Sequence, residues 1–363
     1  MKAWRFYSFG DMRLDDIPSP KVKPGWLVCK VRRVQPSITD AQRAMGVATM
    51  GAEKMREIIE KQAPVQLLGH EMSAEVIEVG DGVEGFQVGD IVCTTGHASC
   101  GTCYWCATGR DSWCKKKLHV GITTPGAFAE EILIPVSAVV KVSPKLDDAS
   151  IVCLQPLSTT VAAIRDAKLS PGQTIAITGQ GVMGLYMLQA VRMFGAKAVF
   201  VTDIRDEALE LSKKFHADEI INSKKDDPVE KIMDLTNGEG VDTVFECAGG
   251  NLSDGLAGDK TLKDAFKFAK HGGSIVQVAA LVGDAKIDTS ILRDKGLKWI
   301  FTEGHGKQTL DIGASWVTSG RVDVKSIITH ETKGLENLPL AFEITRNKEK
   351  FKATNPCQVV LED

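Results

Sequence analysis

The sequence lacks the features that mark several whole classes of protein. None of its apolar runs approaches the ~18 residues that a membrane-spanning helix needs. The amino-terminal stretch has no apolar core followed by a small-residue cleavage site, as a secretion signal would. The net charge is only −3, and no long run of one sign, internal repeat or low-complexity segment interrupts the chain. We therefore expect a cytoplasmic protein whose partners include neither nucleic acid nor membranes.

The cysteine content is far below that of a disulfide-rich protein, and the placement of the cysteines is informative. Nine cysteines in 363 residues are too few and too clustered for a disulfide scaffold. Four of them follow the pattern Cys100-x2-Cys103-x2-Cys106-x7-Cys114. Two short steps wrap the backbone around one ion, and the fourth thiolate closes a tetrahedron with no open position. The pattern predicts a structural zinc site, with an iron–sulfur cluster as the competing interpretation.

The length and spacing of the apolar runs divide the chain into three regions and predict an α/β protein. Residues 1–155 carry short β-like runs separated by glycine and proline, which is typical of a mostly antiparallel β domain. Residues 156–297 alternate apolar runs with helical patterns, which predicts a parallel sheet covered on both faces. Residues 298–363 return to strands and a helix, and we expect them to pack on the first domain.

A glycine turn lies between a predicted strand and a predicted helix in the central region. The stretch TIAITGQGVMGLY places three glycines at the spacing G-x-G-x-x-G. The first permits a tight turn, the second leaves room for a pyrophosphate, and the third lets the helix approach the strand. The helix start then offers free N–H groups to the phosphates. We predict that a dinucleotide contacts Gly179, Gly181, Val182, Met183 and Gly184.

An acidic residue at the end of the next strand indicates which dinucleotide is preferred. Asp203 lies 19 residues after Gly184. A carboxylate at that point accepts hydrogen bonds from ribose hydroxyls and repels a 2′-phosphate. The sequence therefore favours NAD over NADP, although Arg205 could partly neutralise the preference.

These motifs together resemble the zinc-containing alcohol dehydrogenases of the medium-chain dehydrogenase/reductase superfamily, over almost the whole chain. The resemblance is carried by the cysteine pattern, the glycine turn, Gly69-His70-Glu71, Val88–Val92 and Gly126–Glu130. It implies a GroES-like catalytic domain formed by residues 1–155 and 298–363, and a Rossmann domain formed by residues 156–297. It also implies an active site between these domains, and a homodimer or homotetramer.

The sequence departs from this family where the family binds its catalytic zinc. The family uses a cysteine, the histidine of Gly-His-Glu and a later cysteine or glutamate; here these positions are Ser37, His70 and Gln155. A hydroxyl, an imidazole and an amide form a much poorer zinc site than thiolates and carboxylates do. Two substitutes remain open: Glu71, or Cys153, which would share the face of Gln155 if this segment were extended.

The residues around the missing ligands match the family. Thr39 corresponds to the hydroxyl that bonds the reacting oxygen and starts a proton relay. Asp40 corresponds to the acid that orients the histidine. Thr159 corresponds to a position that touches the nicotinamide ring. The resemblance therefore implies a remodelled reaction centre that contains Ser37, Thr39, Asp40, His70, Glu71 and Gln155.

We expect an NAD-dependent oxidoreductase that transfers hydride between nicotinamide and a secondary alcohol or carbonyl, such as an allylic or cyclic one, without an ordinary catalytic zinc. A first alternative is a reductase of an α,β-unsaturated carbonyl or thioester, because such a substrate spreads the developing charge into an enolate. A second alternative, of a different class, is a nucleotide-binding subunit that has lost catalysis.

Overall fold

The computed structural model describes residues 1–47, 51–250, 257–281, 283–302 and 306–362. The chain divides into two compact units, Met1–Ser158 with His305–Asp363, and Thr159–Gly304. Among the described residues, no helix combines the length and apolarity required to cross a bilayer.

The strands are numbered along the chain. They are β1 (Lys2–Ser8), β2 (Asp11–Asp16), β3 (Trp26–Val34), β4 (Met72–Val79), β5 (Ile91–Thr94), β6 (His97–Ala98), β7 (Leu118–His119), β8 (Glu131–Pro135), β9 (Val139–Lys141), β10 (Thr174–Thr178), β11 (Ala198–Asp203), β12 (Glu219–Asn222), β13 (Val241–Glu246), β14 (Ala269–Gln277), β15 (Lys298–Phe301), β16 (Glu331–Lys333) and β17 (Gln358–Val360).

The helices are α1 (Ile38–Ala44), α2 (Ala52–Gln62), α3 (Tyr104–Ala107), α4 (Asp148–Val152), α5 (Leu154–Ala167), α6 (Val182–Met193), α7 (Asp206–Lys214), α8 (Pro228–Leu235), α9 (Lys260–Phe268), α10 (Thr289–Lys295), α11 (Lys307–Thr318), α12 (Leu338–Arg346) and α13 (Lys348–Phe351).

The first unit is built on a mostly antiparallel sheet, as the sequence predicts. Its strand order is β16-β17-β3-β4-β5-β9, and β8 also pairs with β3. The carboxy-terminal strand β17 pairs antiparallel with β3. This pairing confirms that the end of the chain packs on the first region. The core of the unit includes Phe6, Leu27, Met72 and Phe128, all fully buried.

The second unit is a parallel sheet with strand order β12-β11-β10-β13-β14-β15. The chain starts in the middle at β10, runs outward to β12 and then crosses to β13 on the other side. The carboxyl ends of β10 and β13 therefore form the topological switch point at which doubly wound sheets bind ligands. Helix α6 follows β10, and its residues Gly184 to Val191 are all buried. This agrees with its nearly all-apolar sequence.

The predicted boundary after residue 297 is wrong by a strand. Lys298–Phe301 forms β15, which pairs in parallel with β14. Its backbone hydrogen bonds place this strand in the Rossmann sheet, because an extended segment pairs with the open edge that β14 offers. Residues 298–301 therefore belong to the second unit, and the chain returns to the first unit near residue 305.

Candidate active site and cysteine lobe

The start of α1 joins three of the predicted site residues. Ser37 is the N-cap of this helix, and its Oγ accepts a hydrogen bond from the Asp40 backbone N–H at 3.0 Å. The Asp40 carboxylate accepts the backbone N–H of Ser37 in return, at 3.1 Å. The hydroxyls of Ser37 and Thr39 are 2.8 Å apart and share one hydrogen bond. Ser37 therefore serves as a helix cap and as the neighbour of Thr39.

Asp40 also holds His70, as the sequence predicts for an orienting acid. The Asp40 carboxylate is fully buried, and its Oδ1 lies 3.2 Å from His70 Nδ1 and 3.9 Å from Arg43 Nη1. Burial would lower the pKa of His70, but the facing Asp40 carboxylate outweighs it and the pKa is raised. Burial would raise the pKa of Asp40, but the charges of His70 and Arg43 outweigh it and the pKa is lowered. The bond through Nδ1 leaves His70 Nε2 to act on other groups.

Glu71 belongs to a buried network of amides that the sequence does not predict. Gln35 donates from Nε2 to the Glu71 carboxylate and from its backbone N–H to the Glu71 carbonyl. Gln358 Nε2 in turn lies 3.4 Å from Gln35 Oε1 and 3.6 Å from Cys153 Sγ. Burial raises the pKa of Glu71 to about 7. No sequence motif marks Gln35 or Gln358, because they meet only through the pairing of β17 with β3.

The interpretation of Cys153 as a displaced equivalent of Gln155 is wrong. Helix α5 runs from Leu154 to Ala167, so the segment is helical and not extended. Two residues on a helix are about 200° apart around its axis, so these side chains point in different directions. Cys153 donates to the Ala149 carbonyl at 3.4 Å. Gln155 is buried in the first turn of α5.

The residues at the family's catalytic-zinc positions do not fit that ion. Ser37 Oγ is already used as a helix cap, Gln155 offers a neutral amide, and His70 supplies one imidazole. Among the described residues, only the cysteine lobe brings three or more His, Cys, Asp or Glu ligand atoms close enough to share an ion. Neither Glu71 nor Cys153 completes a set around His70.

The cysteine lobe, residues 100–114, has the geometry of a tetrahedral metal site. The sulfurs of Cys100, Cys103, Cys106 and Cys114 all lie within 4.8 Å of one another. The Cys103–Cys106 and Cys100–Cys106 sulfur separations are 3.5 and 3.9 Å. Zinc–sulfur bonds of about 2.3 Å in a tetrahedron require about 3.8 Å between sulfurs. Backbone N–H groups of Thr102 and Cys103 lower the pKa of Cys100 to about 6, which favours the thiolate that a metal binds.

The glycine turn lies at the carboxyl end of β10, where the sequence predicts it. Gly179 has φ +81°, and a Cβ there would come 2.8 Å from the Ala248 Cα. A Cβ on Gly184 would come 1.8 Å from the Gly179 carbonyl oxygen, so helix and strand pack closely. A Cβ on Gly181 would meet no protein atom within 4 Å. Gly181 therefore faces open space, as expected of a position that a phosphate approaches. Val182 and Met183 form the first turn of α6.

Asp203 and Arg205 meet beside this turn. The Asp203 carboxylate accepts hydrogen bonds from the backbone N–H groups of Gln180, Ile204 and Arg205 at 2.6, 2.8 and 2.9 Å. Arg205 Nε lies 3.3 Å from the same carboxylate. Asp203 thus ties the end of β11 to the glycine turn, and its charge is partly balanced by Arg205. Thr159, the predicted nicotinamide contact, lies in α5.

Family models match both units. The model described as an alcohol dehydrogenase GroES-like domain matches residues 23–144, and that described as a zinc-binding dehydrogenase matches residues 182–310. An NAD-dependent alcohol dehydrogenase of Sulfurisphaera tokodaii is 31% identical over 97% of this chain and 98% of its own length. The chain belongs to the zinc-containing alcohol dehydrogenases of the medium-chain dehydrogenase/reductase superfamily.

A further relative and a solved structure agree with this family assignment. An L-threonine 3-dehydrogenase of Pyrococcus abyssi is 34% identical over 78% of this chain and 79% of its own length. A zinc-binding dehydrogenase of Sinorhizobium meliloti 1021, solved bound to NADP, superposes with a TM-score of 0.84 at 25% identity, over 99% of both chains. The comparisons confirm the GroES-like and Rossmann architecture and an NAD(P)-dependent oxidoreductase.

Proposed function

We propose that this alcohol dehydrogenase homologue is an NAD-dependent secondary-alcohol dehydrogenase and ketone reductase that works without an ordinary catalytic zinc. The observation that carries the proposal is the use of Ser37 as a helix cap beside Thr39, at a position where the family has a zinc ligand. The intact contact between Asp40 and His70 supports retained catalysis, because a decayed site has no reason to keep it.

The two hydroxyls of α1 supply a proton route for this reaction. When an alcohol is oxidised, hydride leaves its carbon for nicotinamide and its hydroxyl proton must go elsewhere. Thr39 Oγ1 is half-buried and 2.8 Å from Ser37 Oγ, so it can accept that proton while donating its own to Ser37, which in turn releases its own proton to water. Asp40 holds His70 through Nδ1, so in this proposal His70 hydrogen-bonds the substrate oxygen through Nε2.

In this proposal, the cysteine lobe holds a zinc ion through Cys100, Cys103, Cys106 and Cys114. Such an ion has no open position, so it stabilises the lobe and takes no part in the chemistry. Assembly into a homodimer or homotetramer and a location in the cytoplasm stay predictions.

Elemental analysis and a paired substrate screen on the same purified protein test the proposal. We expect about one zinc per chain. We also expect NAD-dependent oxidation of a secondary alcohol, with L-threonine first in the panel because it is the named substrate of several relatives. The second arm of the screen offers conjugated enones with NADH.

Each other result selects a different function. About two zinc ions per chain would restore ordinary zinc catalysis. Reduction of enones without alcohol oxidation would favour a double-bond reductase. Tight nucleotide binding with no hydride transfer to any substrate would identify a non-catalytic subunit.

The preference for NAD rests on Asp203 and is tested by Asp203→Ala. Removing the carboxylate ends its repulsion of a 2′-phosphate and releases Arg205 to pair with that phosphate. We expect the ratio of kcat/KM for NADP to that for NAD to rise about tenfold or more.

The matched control is Asp206→Ala, which removes another acid from the same edge of the sheet. Asp206 pairs with Lys225 and Asn222 and does not bond the glycine turn. Its removal should leave the cofactor ratio within about twofold. An unchanged ratio in Asp203→Ala would show that this carboxylate does not select the ribose.

A further inference from the structure

A buried carboxyl group lies at the topological switch point of the Rossmann sheet. Glu246 is the last residue of β13 and is fully buried. It is in register with Thr178, the last residue of β10 and the residue before the glycine turn. Opposite residues of paired strands point to the same face, so their side chains lie on the same side of the sheet. Burial raises the pKa of Glu246.

One oxygen of Glu246 organises the loop that follows β13. Glu246 Oε1 accepts hydrogen bonds from the backbone N–H groups of Ala248 and Gly249 at 3.0 and 2.9 Å. It also accepts the hydroxyl of Thr261, in the first turn of α9, at 2.8 Å. The backbone carbonyl of Glu246 accepts two further bonds, from the N–H groups of Val278 and Ala279, directly after β14. A single residue therefore fixes where the next strand, loop and helix lie.

That loop is the surface against which the glycine turn packs. A Cβ on Gly179 would come 2.8 Å from the Ala248 Cα and 2.9 Å from its backbone nitrogen. The Cys247 N–H donates to the Thr178 carbonyl at 2.9 Å, directly before the turn. Gly179, at φ +81°, therefore packs against Ala248, whose backbone N–H donates to Glu246. A shift of residues 247–249 would release the turn from one side.

We propose that Glu246 is a positioning residue for dinucleotide binding, which acts by holding the loop 247–249 against the glycine turn. This role deepens the proposed function and rests on it, because it requires the glycine turn to bind a nucleotide. What matters is the reach of the Glu246 side chain to two backbone N–H groups, since a hydrogen bond needs a donor–acceptor distance near 3 Å. A preformed turn binds phosphates without an ordering cost. A loosened turn must first become ordered, and this cost weakens binding.

Two conservative variants distinguish the effect of side-chain length, which sets its reach, from the effect of its charge. Glu246→Gln keeps the length of the side chain and an oxygen for both N–H groups, and its new amide donor lies on the side of the Thr178 hydroxyl. Glu246→Asp keeps the carboxylate but is shorter by one methylene, so it falls short of Ala248 and Gly249.

The control is Asp242→Ala, on the same strand. Asp242 lies near the start of β13, about 13 Å from Glu246. Its carboxylate also accepts a backbone N–H, from Thr174 at 2.8 Å, and pairs with Lys270. The control therefore removes comparable bonds from β13, at the amino-terminal end of the same strand.

The experiment measures the Kd for NADH by calorimetry, with thermal unfolding followed in parallel and all binding data taken while each variant is folded. We expect Glu246→Asp to weaken NADH binding about tenfold or more, with Glu246→Gln and Asp242→Ala within about threefold of the wild type. The Kd should not follow the order of thermal stability.

Three results would overturn the inference. Wild-type affinity in Glu246→Asp would show that the loop needs no such support. Equal losses in Glu246→Gln and Glu246→Asp would show that reach is not the property that matters, because glutamine keeps the length of the side chain. A comparable loss in Asp242→Ala would show a general effect of stability. If the wild-type protein binds neither NADH nor NADPH, the proposed function fails first and the inference with it.

Discussion

Replacing Thr39 with alanine is expected to lower kcat about a hundredfold while leaving the Kd for NADH unchanged. In the proposed relay, the Thr39 hydroxyl accepts the substrate proton and passes its own proton to Ser37, whose Oγ lies 2.8 Å away. Alanine removes this hydroxyl without disturbing the helix, because it is a strong helix former and Ser37 keeps its cap on Asp40. Steady-state kinetics and NADH titration on one preparation measure the two quantities.

Thr39→Ser is the matched control for this prediction. Serine keeps the hydroxyl and loses only a methyl group, so kcat should stay within about fivefold of the wild type. If Thr39→Ala turned over at the wild-type rate, Thr39 would have no part in the mechanism. If the Kd for NADH rose as much as kcat fell, the substitution would be acting through the structure.

Replacing Cys103 with serine is expected to abolish metal binding and to lower the thermal midpoint by about 10 °C. A neutral hydroxyl cannot replace a thiolate, and the remaining three sulfurs leave the tetrahedron open. The site ties residues 100–114 together, so its loss should cost roughly 3–5 kcal/mol. Elemental analysis and thermal unfolding of the variant beside the wild type test both parts. Iron in place of zinc in the wild-type protein would identify the competing cluster.

Cys357→Ala controls for the general effect of removing a buried cysteine. Cys357 is fully buried in the first unit and lies outside the lobe, where it donates to the Gln358 carbonyl. The Cys357→Ala variant should be somewhat less stable than the wild type and keep about one metal ion per chain. Full metal content in Cys103→Ser would contradict the assignment of the lobe as the metal site.

The features that local sequence spacing encodes were predicted well. The glycine turn after β10, the acid at the end of β11 and the buried helix α6 all lie where their patterns place them. The cysteine sulfurs converge because x2 steps and a return turn leave them few other arrangements. The cap of α1 is equally local, since Ser37 and Asp40 are three residues apart, but it was not predicted.

The errors arose where the partner of a segment is distant along the chain. The strand β15 looked like part of the returning catalytic region, but the open edge of β14 decided its place. The error at Cys153 concerns local conformation instead: extended backbone would put Cys153 on the face of Gln155, whereas the segment continues into α5. A short apolar run fits a strand or a buried helix equally well, so periodicity alone cannot choose between them.

The sequence by itself determined the two-domain α/β class, the glycine turn, the cysteine lobe and the replacement of the usual zinc ligands by Ser37 and Gln155. Each depends on residue type and short spacing, which the backbone converts directly into geometry. Only the tertiary structure decided that Glu71 bonds Gln35, that Gln358 reaches Gln35 across 323 residues of chain, and that the loop after β13 packs against Gly179. Such contacts follow from strand register, which sets neighbours across a sheet irrespective of their distance in sequence.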